Sequence, residues 1–412
     1  MRKANVMKKL LAGTMALTTA LSVGLFTACG DKGGSDGNEE DKKEQAAHSE
    51  FIDEIGGTSD TYKGSLSNGN YEYLEDAAAA FVSAEVSSDA EIVEVKKLKA
   101  LNEEEVSALK IPASDKAISG VEKYEISYAE DTYMPMSTQP TTNKKVVVYL
   151  IRYEGGRWEY FAPCPVTGET ITKGYYDSVF NYEAYENCTY SNTMTMDMST
   201  TASMQGIKMT MSMGMSLTQL IKYESGKIYM EQTTTTTMKM EAPDYPQYNQ
   251  NETESNTIYA YLEQVEDELV CYAKLVENGA TVQNWTSGSI YTIGFGSVEE
   301  LLPFADGYLD YTYFTKTDFG FELSGEQAER YLAETLEEMY QYQELLKDMD
   351  IKTIVKYYVQ NGALTGSRQD LTIGYNGVID GVSTSLGLTL VAKGTVKDYG
   401  TTVVEKPAEI VE

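Results

Sequence analysis

The chain has 412 residues, of which 63 are Asp or Glu and 33 are Lys or Arg, so its formal net charge at pH 7 is −30. Such a polyanion lacks the excess of Lys and Arg that nucleic-acid binding requires, and anionic lipid head groups repel it. We therefore exclude nucleic acid as a partner. The acidity indicates solubility in an exposed compartment or, as the alternative, a role in binding cations.

The N-terminus combines a basic segment with an uncharged apolar stretch over residues 10–26. The apolar stretch is shorter than the about 20 residues of a membrane-spanning helix, and a small-residue cleavage pattern follows it. We therefore predict a processed signal peptide over residues 1–28 and no transmembrane anchor. The basic residues are Arg2, Lys3, Lys8 and Lys9.

The end of this stretch, Leu-Phe-Thr-Ala-Cys-Gly at 25–30, resembles the lipobox of bacterial lipoproteins, with Ala28 before the cysteine and Gly30 after it. The resemblance implies that Cys29 carries a diacylglyceryl thioether and becomes the mature N-terminus. Two acyl chains suffice for stable attachment to a bilayer. We expect a lipoprotein anchored at the extracytoplasmic face of the cell membrane, in an envelope of the Gram-positive kind.

Residues 29–50 are rich in Gly, Ser and charged residues and lack apolar periodicity, which predicts a disordered acidic tether. The only histidine of the chain, His48, lies in this segment. Hydrolase triads and zinc sites usually need His, and no Gly-rich phosphate loop occurs. We predict that the protein is not an enzyme and has no cofactor, no metal site and no catalytic residue. A pair of carboxylates acting as acid and base stays open as an alternative.

Residues 71–162 form the first predicted domain. Apolar residues at helical spacing from Tyr73 predict one helix, and Asn102 before three glutamates predicts a second, capped helix. Three strand-like runs follow at 121–133, 144–153 and 157–162. A helix ahead of a curved antiparallel sheet resembles the cystatin-like or nuclear-transport-factor-like roll.

Residues 175–406 form the second predicted domain. A short helix over 175–185 precedes many strands, and a capping box at Ser324 predicts a long helix whose apolar stripe reaches Met349. A weaker helix is expected over 298–305. The strands are divided by turn signals at Gly226, Asn278-Gly279, Asn361-Gly362 and Asn376-Gly377.

Methionine alternates with Thr, Ser, Gly, Asp or Lys in three segments of this domain. A period of two places the methionines of each segment on one face of a strand. If the strands pair, nine thioethers form one continuous surface, and we take them as candidate ligand-lining residues. They are Met194, Met196, Met198, Met209, Met211, Met213, Met215, Met238 and Met240.

Three interpretations of this surface stay open. It is a packed core beneath the helix at Ser324, or a lining for an acyl chain, because methionine is soft and adapts to varied apolar partners. The third is a Cu(I) site, because thioethers are soft ligands. Since same-face neighbours along one strand lie about 6.8 Å apart, the copper interpretation requires side chains that converge.

The second domain combines a helix before 185–190, Met/Thr strands, a later helix and the closing sequence Asp398-Tyr399-Gly400 with Lys406-Pro407. With these features it resembles the lipoprotein-carrier superfamily of LolA-like and LppX/LprG-like proteins. The superfamily implies an open half-barrel with an apolar concavity for acyl chains. The predicted fold class is therefore α+β: a small helix-plus-antiparallel-sheet roll, followed by a large antiparallel β half-barrel packed on helices.

From these features we predict a membrane-anchored extracytoplasmic lipoprotein that binds or shuttles an apolar ligand, a lipid in particular. The alternative is a non-catalytic envelope interaction or scaffold lipoprotein with a filled core. The expected partners are the membrane through Cys29, a lipid or other apolar ligand, and an envelope protein. The remaining Cys164, Cys188 and Cys271 are expected as inert thiols, with a Cys164–Cys188 disulfide as the alternative.

Overall fold

The computed structural model describes residues 62–67, 69–86, 90–113, 116–129, 143–180, 185–204, 207–265, 268–288, 309, 311–338, 349–379 and 382–410. The predicted signal peptide, the tether with Cys29 and His48, and the predicted helix at 298–305 lie outside these residues.

Antiparallel strands account for most of the described residues. Over the described residues the fold is therefore mostly β with few helices, and it matches the predicted α+β class only in part, because long segments rich in Thr, Val and Tyr favour the pleated strand conformation. The helices are α1 (Leu74–Glu85), α2 (Glu103–Ala108), α3 (Lys173–Val179) and α4 (Gly325–Glu338). The strands are β1 (Ser65–Leu66), β2 (Glu91–Ala100), β3 (Ile118–Ala129), β4 (Asn143–Tyr153), β5 (Trp158–Ala162), β6 (Cys188–Met204), β7 (Ile207–Glu224), β8 (Lys227–Glu241), β9 (Gln250–Val265), β10 (Glu268–Glu277), β11 (Ala280–Gly288), β12 (Thr315–Thr317), β13 (Gly320–Leu323), β14 (Met349–Gln360), β15 (Ala363–Ile379) and β16 (Val382–Lys397).

The chain divides into two compact units. The smaller unit comprises Ser59–Val179 with Lys316–Asp318, and the larger one includes Phe180–Thr315 and Phe319–Glu412. Each unit is built around an open sheet, since the strand order of each sheet has two ends.

The smaller unit has a five-stranded sheet in the order β1-β5-β4-β3-β2. Helix α1 buries Ala77, Ala78, Phe81 and Val82 in a core with side chains of β3, β4 and β5. The Asn102 side chain accepts a hydrogen bond of 2.9 Å from the Glu105 backbone, and the Glu105 side chain accepts one from the Asn102 backbone, so the predicted cap of α2 is confirmed as a capping box.

Strand β2 was not predicted, because its mostly exposed Lys and Glu residues hide the alternation of apolar and polar side chains.

The larger unit has an eleven-stranded sheet in the order β11-β10-β9-β8-β7-β6-β16-β15-β14-β13-β12. Strands β6 to β11 follow one another as hairpins, whereas the last strand, β16, returns to pair with β6 along fifteen residues on each strand, from Thr189↔Lys397 to Ser203↔Ser383. This long-range pairing joins two runs of hairpins into one sheet. It also places the methionine strands at the middle of the sheet.

Two predictions about the larger unit are wrong. Asn376-Gly377 is not a hairpin turn: both residues lie within β15 and pair with β16. Met349 does not continue the helix that begins at Gly325, because it is the first residue of β14 and pairs with Tyr375. The predicted turns at Gly226, Asn278-Gly279 and Asn361-Gly362 are confirmed between successive strands.

Candidate functional site

Nine methionines on three neighbouring strands share one face of the larger sheet, and we call them the methionine patch. Directly paired residues of antiparallel strands point to the same face, and the register pairs Met198 with Met213 and Met213 with Met238. Because side chains alternate along a strand, every second residue of each strand, counted from these three, points to the same face. The predicted common face is thus confirmed for Met194, Met196, Met198, Met209, Met211, Met213, Met215, Met238 and Met240.

Aliphatic side chains extend this face beyond β6. Leu388 of β16 lies opposite Met198, and Leu390 lies opposite Met196. Both leucines are buried, and they pair in turn with two buried residues of β15, Ile373 and Leu371. The methionine patch is therefore one part of a larger apolar face that crosses several strands.

The same face of β8 carries a further, buried methionine that sequence reasoning missed. Met230 lies on β8, pairs with Ile221 and is 0% exposed. Met230 is separated from Met238 and Met240 by even numbers of positions, so all three point to the same face of β8. Extending the alternation of Met238 and Met240 towards the start of the strand would have predicted it.

The patch methionines of β7 and β8 are more exposed than those of β6. On β6, Met194, Met196 and Met198 are only 4%, 5% and 2% exposed. The four methionines of β7 are all partly exposed, and on β8 Met238 reaches 36%. The patch methionines of β6 therefore belong to the core, whereas those of β7 and β8 (Met238 and Met240, but not the buried Met230) are at least partly exposed to solvent.

An acidic margin borders the exposed side of the patch. Glu252 of β9 lies directly opposite Met238, and Glu254 lies opposite Thr236, with both carboxylates exposed on the patch face. A polar rim around an apolar surface is typical of sites that bind other molecules.

The opposite face of the same strands consists mainly of hydroxyl side chains, and we call it the hydroxyl face. Cross-strand hydrogen bonds link several of them, including Thr233 to Thr257 at 2.9 Å and Thr235 to Ser255 at 3.1 Å. Such pairs stabilise a sheet by roughly 0.2–1 kcal/mol each. Apart from Asp197 and Gly214, every outward position is Ser or Thr over residues 193–201, 210–218, 233–237 and 253–257.

The C-terminal segment, residues 401–410, lies across one end of the hydroxyl face. Its Thr402 hydroxyl lies 3.0 Å from that of Thr189 on β6, and its Glu409 carboxylate accepts hydrogen bonds of 2.9 Å from Lys274 on β10 and from the indole of Trp285 on β11. The hydrogen bond from Lys274, followed by that from Trp285, lowers the pKa of Glu409. The C-terminal segment therefore covers part of the face opposite the methionine patch.

The three cysteines of the described residues, Cys164, Cys188 and Cys271, are free thiols, so the alternative of a Cys164–Cys188 disulfide is wrong. Burial raises the pKa of Cys188 to about 12 and also raises the pKa of Cys271, whereas Cys164 is partly exposed. Since the thiolate is the reactive form, the two buried thiols are chemically inert.

The most enclosed carboxylate arrangement of the smaller unit serves a structural purpose. Glu159, 2% exposed, accepts hydrogen bonds from the Tyr153 hydroxyl at 2.5 Å and from the Lys116 Nζ at 3.0 Å. Both carboxylate oxygens are engaged by side chains of the same unit, which satisfies the buried charge.

Within the described ranges, no group of three or more His, Cys, Asp or Glu side chains is placed to hold a metal ion. None of the described helices is long and apolar enough to cross a membrane. Cys29, the predicted lipidation site, lies outside the described residues.

No protein-family model matches the chain, and no curated protein matches it.

Proposed function

We propose that the protein is a membrane-anchored extracytoplasmic lipoprotein that binds or shuttles an apolar ligand, a lipid in particular, on the methionine patch. Anchoring rests on the lipobox-like segment that ends at Cys29 and Gly30. The larger sheet is proposed to act as an open half-barrel of the LolA/LppX kind, with the patch on its ligand-binding side.

The observation that carries the proposal is the rise in exposure from β6 to β8. The methionines of β6 are held in the core and give the surface a fixed base, while those of β7 and Met238 of β8 remain accessible. Each Å² of apolar surface removed from water contributes roughly 25 cal/mol, so an acyl chain laid across these side chains gains free energy on binding. Flexible thioethers fit chains of varied shape.

Lipid binding can be tested with two charge substitutions at adjacent positions. Met215 lies in the patch, whereas Ser216, its neighbour on β7, lies exposed on the hydroxyl face. The mature chain carrying Cys29→Ser lacks the acylation site and can be handled without detergent. Native mass spectrometry after incubation with a bacterial membrane lipid extract is expected to show lipid adducts on this protein.

Met215→Lys should reduce the adducts about tenfold, because an ammonium group would have to lose water where the acyl chain binds. Ser216→Lys adds the same charge and should leave them unchanged. A parent protein without lipid adducts, or an equal loss in both variants, would contradict the proposal.

The second candidate function is an envelope interaction module, and the end strand β11 favours it. Among the described strands, β11 pairs only with β10, and its Val282 is 52% exposed. An edge strand of this kind can accept an extended segment of a partner protein. A photo-crosslinking residue at position 282 should then give a discrete adduct in the living bacterium, while one at Thr253 on the hydroxyl face should give none.

A further inference from the structure

Strand pairing places methionine residues side by side on adjacent strands, closer than same-face neighbours along one strand. Met198, Met213 and Met238 form a single row across β6, β7 and β8. Two further direct pairs, Met196 with Met215 and Met211 with Met240, flank this row. The sheet register therefore produces a cluster of thioethers with a defined centre.

The spacing within the row suits metal coordination. Directly opposed Cβ atoms lie about 4.5–5.5 Å apart on adjacent strands. A metal–sulfur bond of about 2.3 Å, as in zinc thiolates, places two sulfurs on either side of an ion about 4.6 Å apart. Long, unbranched methionine side chains can adjust to this separation without moving the backbone.

The donor set determines which ion is suitable. Thioethers are soft, uncharged ligands, which favour Cu(I) over hard divalent ions that prefer oxygen. The row ends at Glu252, whose exposed carboxylate lies directly opposite Met238 and supplies a negative charge beside a monovalent cation. The net charge of −30 attracts cations to the protein as a whole.

We propose that Met198, Met213 and Met238 bind Cu(I). Met198, 2% exposed, fixes one side of the site in the core, and Met238, 36% exposed, gives the ion access from solvent. Cu(I) binding would use sulfur lone pairs and needs no acyl chain, so this proposal does not depend on lipid binding.

The test uses Ag(I), a redox-stable probe with the same preference for soft ligands, and the Cys29→Ser chain labelled with methyl-¹³C methionine. Cys164 is alkylated first because its thiol is partly exposed. Methionine methyl resonances, assigned by single Met→Leu substitutions, report binding at each thioether separately. One equivalent of Ag(I) is expected to shift the methyl signals of Met198, Met213 and Met238 together.

The matched control is Met209, which lies on the same strand and face as Met213 but opposite Ala202. Leucine is close in volume to methionine, so both substitutions preserve packing. Met213→Leu should weaken Ag(I) binding at least tenfold, while Met209→Leu should change it less than twofold. Unmoved methyl signals, equal weakening by both variants, or the same shifts with Zn(II) at equal concentration would overturn the proposal.

Discussion

Lys406 donates a hydrogen bond of 2.9 Å from its Nζ to Oε1 of Glu263, a residue 143 positions earlier in the chain. The same ammonium lies over the rings of Tyr261 and Tyr272, at 6.0 and 5.3 Å from their centroids. Tyr261 is 1% exposed, and its hydroxyl donates to Glu263 as well. The Lys406 side chain of the C-terminal segment thus contacts one carboxylate and two aromatic rings on the hydroxyl face.

Removing this charge should destabilise the larger unit. We expect Lys406→Met, which keeps the apolar stem, to lower the free energy of unfolding by about 1–2 kcal/mol, because it removes a charge-assisted hydrogen bond and two cation–π contacts. Urea denaturation followed by circular dichroism measures the change. Lys397→Met, at an exposed position of β16, serves as the control and should stay within about 0.5 kcal/mol. An effect of Lys406→Met no larger than that of the control would show that the C-terminal segment is not held by this group.

The contribution of Glu263 should disappear in acid. The hydrogen bonds from Tyr261 and then Lys406 hold the pKa of Glu263 below its usual range. A carboxyl whose pKa is lower in the folded than in the unfolded protein stabilises the fold above the unfolded value, about 4.3, and loses that contribution as the pH falls through the lowered folded value. Glu263→Gln removes the titration.

The measurement for Glu263 is a pair of urea titrations, at about pH 7 and about pH 3. The stability difference between the parent chain and Glu263→Gln should be largest at the higher pH and shrink at the lower one. A difference that is the same at both pH values would mean that the carboxylate charge does not stabilise the fold.

Gly377 should be intolerant of a side chain although it lies in a strand. A Cβ atom placed there would overlap the ring of Tyr375, which is 6% exposed and lies along the same face of β15. Gly377→Ala should therefore cost about 1–3 kcal/mol by forcing the buried ring to move. At Gly387 on the neighbouring strand, a Cβ would meet open space.

Gly387→Ala is accordingly the control for Gly377→Ala and should be neutral or slightly stabilising, because alanine restricts the unfolded chain more than glycine does. Thermal unfolding of the two variants measures the contrast. Equal melting temperatures would indicate that Tyr375 can leave its position without cost.

Gly377 also illustrates where sequence reasoning fails. Asn-Gly is a strong hairpin signal because both residues tolerate positive φ, and at Asn278 and Asn361 the chain does turn, with φ of 49° and 54°. At Asn376-Gly377 the glycine is needed for a different reason: the ring of Tyr375 occupies the space that a Cβ atom would take. A local signal cannot separate these two uses of glycine, because the second depends on a side chain that packs only once β15 has paired with β16.

The predicted helices show the same contrast between local sequence signals and long-range pairing. The capped helix after Asn102 was predictable because its cap is made by residues three positions apart. The stripe that begins near Ser324 was extended too far, since Met349 fits a helix pattern but pairs with Tyr375 in the sheet. The Ser324 hydroxyl, expected to form a capping box, donates to Glu322 at 2.8 Å.

The sequence by itself determined that the methionines of each segment lie on one side of a strand, since side chains alternate with a period of two whatever the strand pairs with. Only the tertiary structure decided that Met198, Met213 and Met238 form one row, and that exposure rises from 2% at Met198 to 36% at Met238. The physical reason is that register depends on pairing between segments, including that of β16 with β6, and a shift by one residue would reverse the face of every side chain.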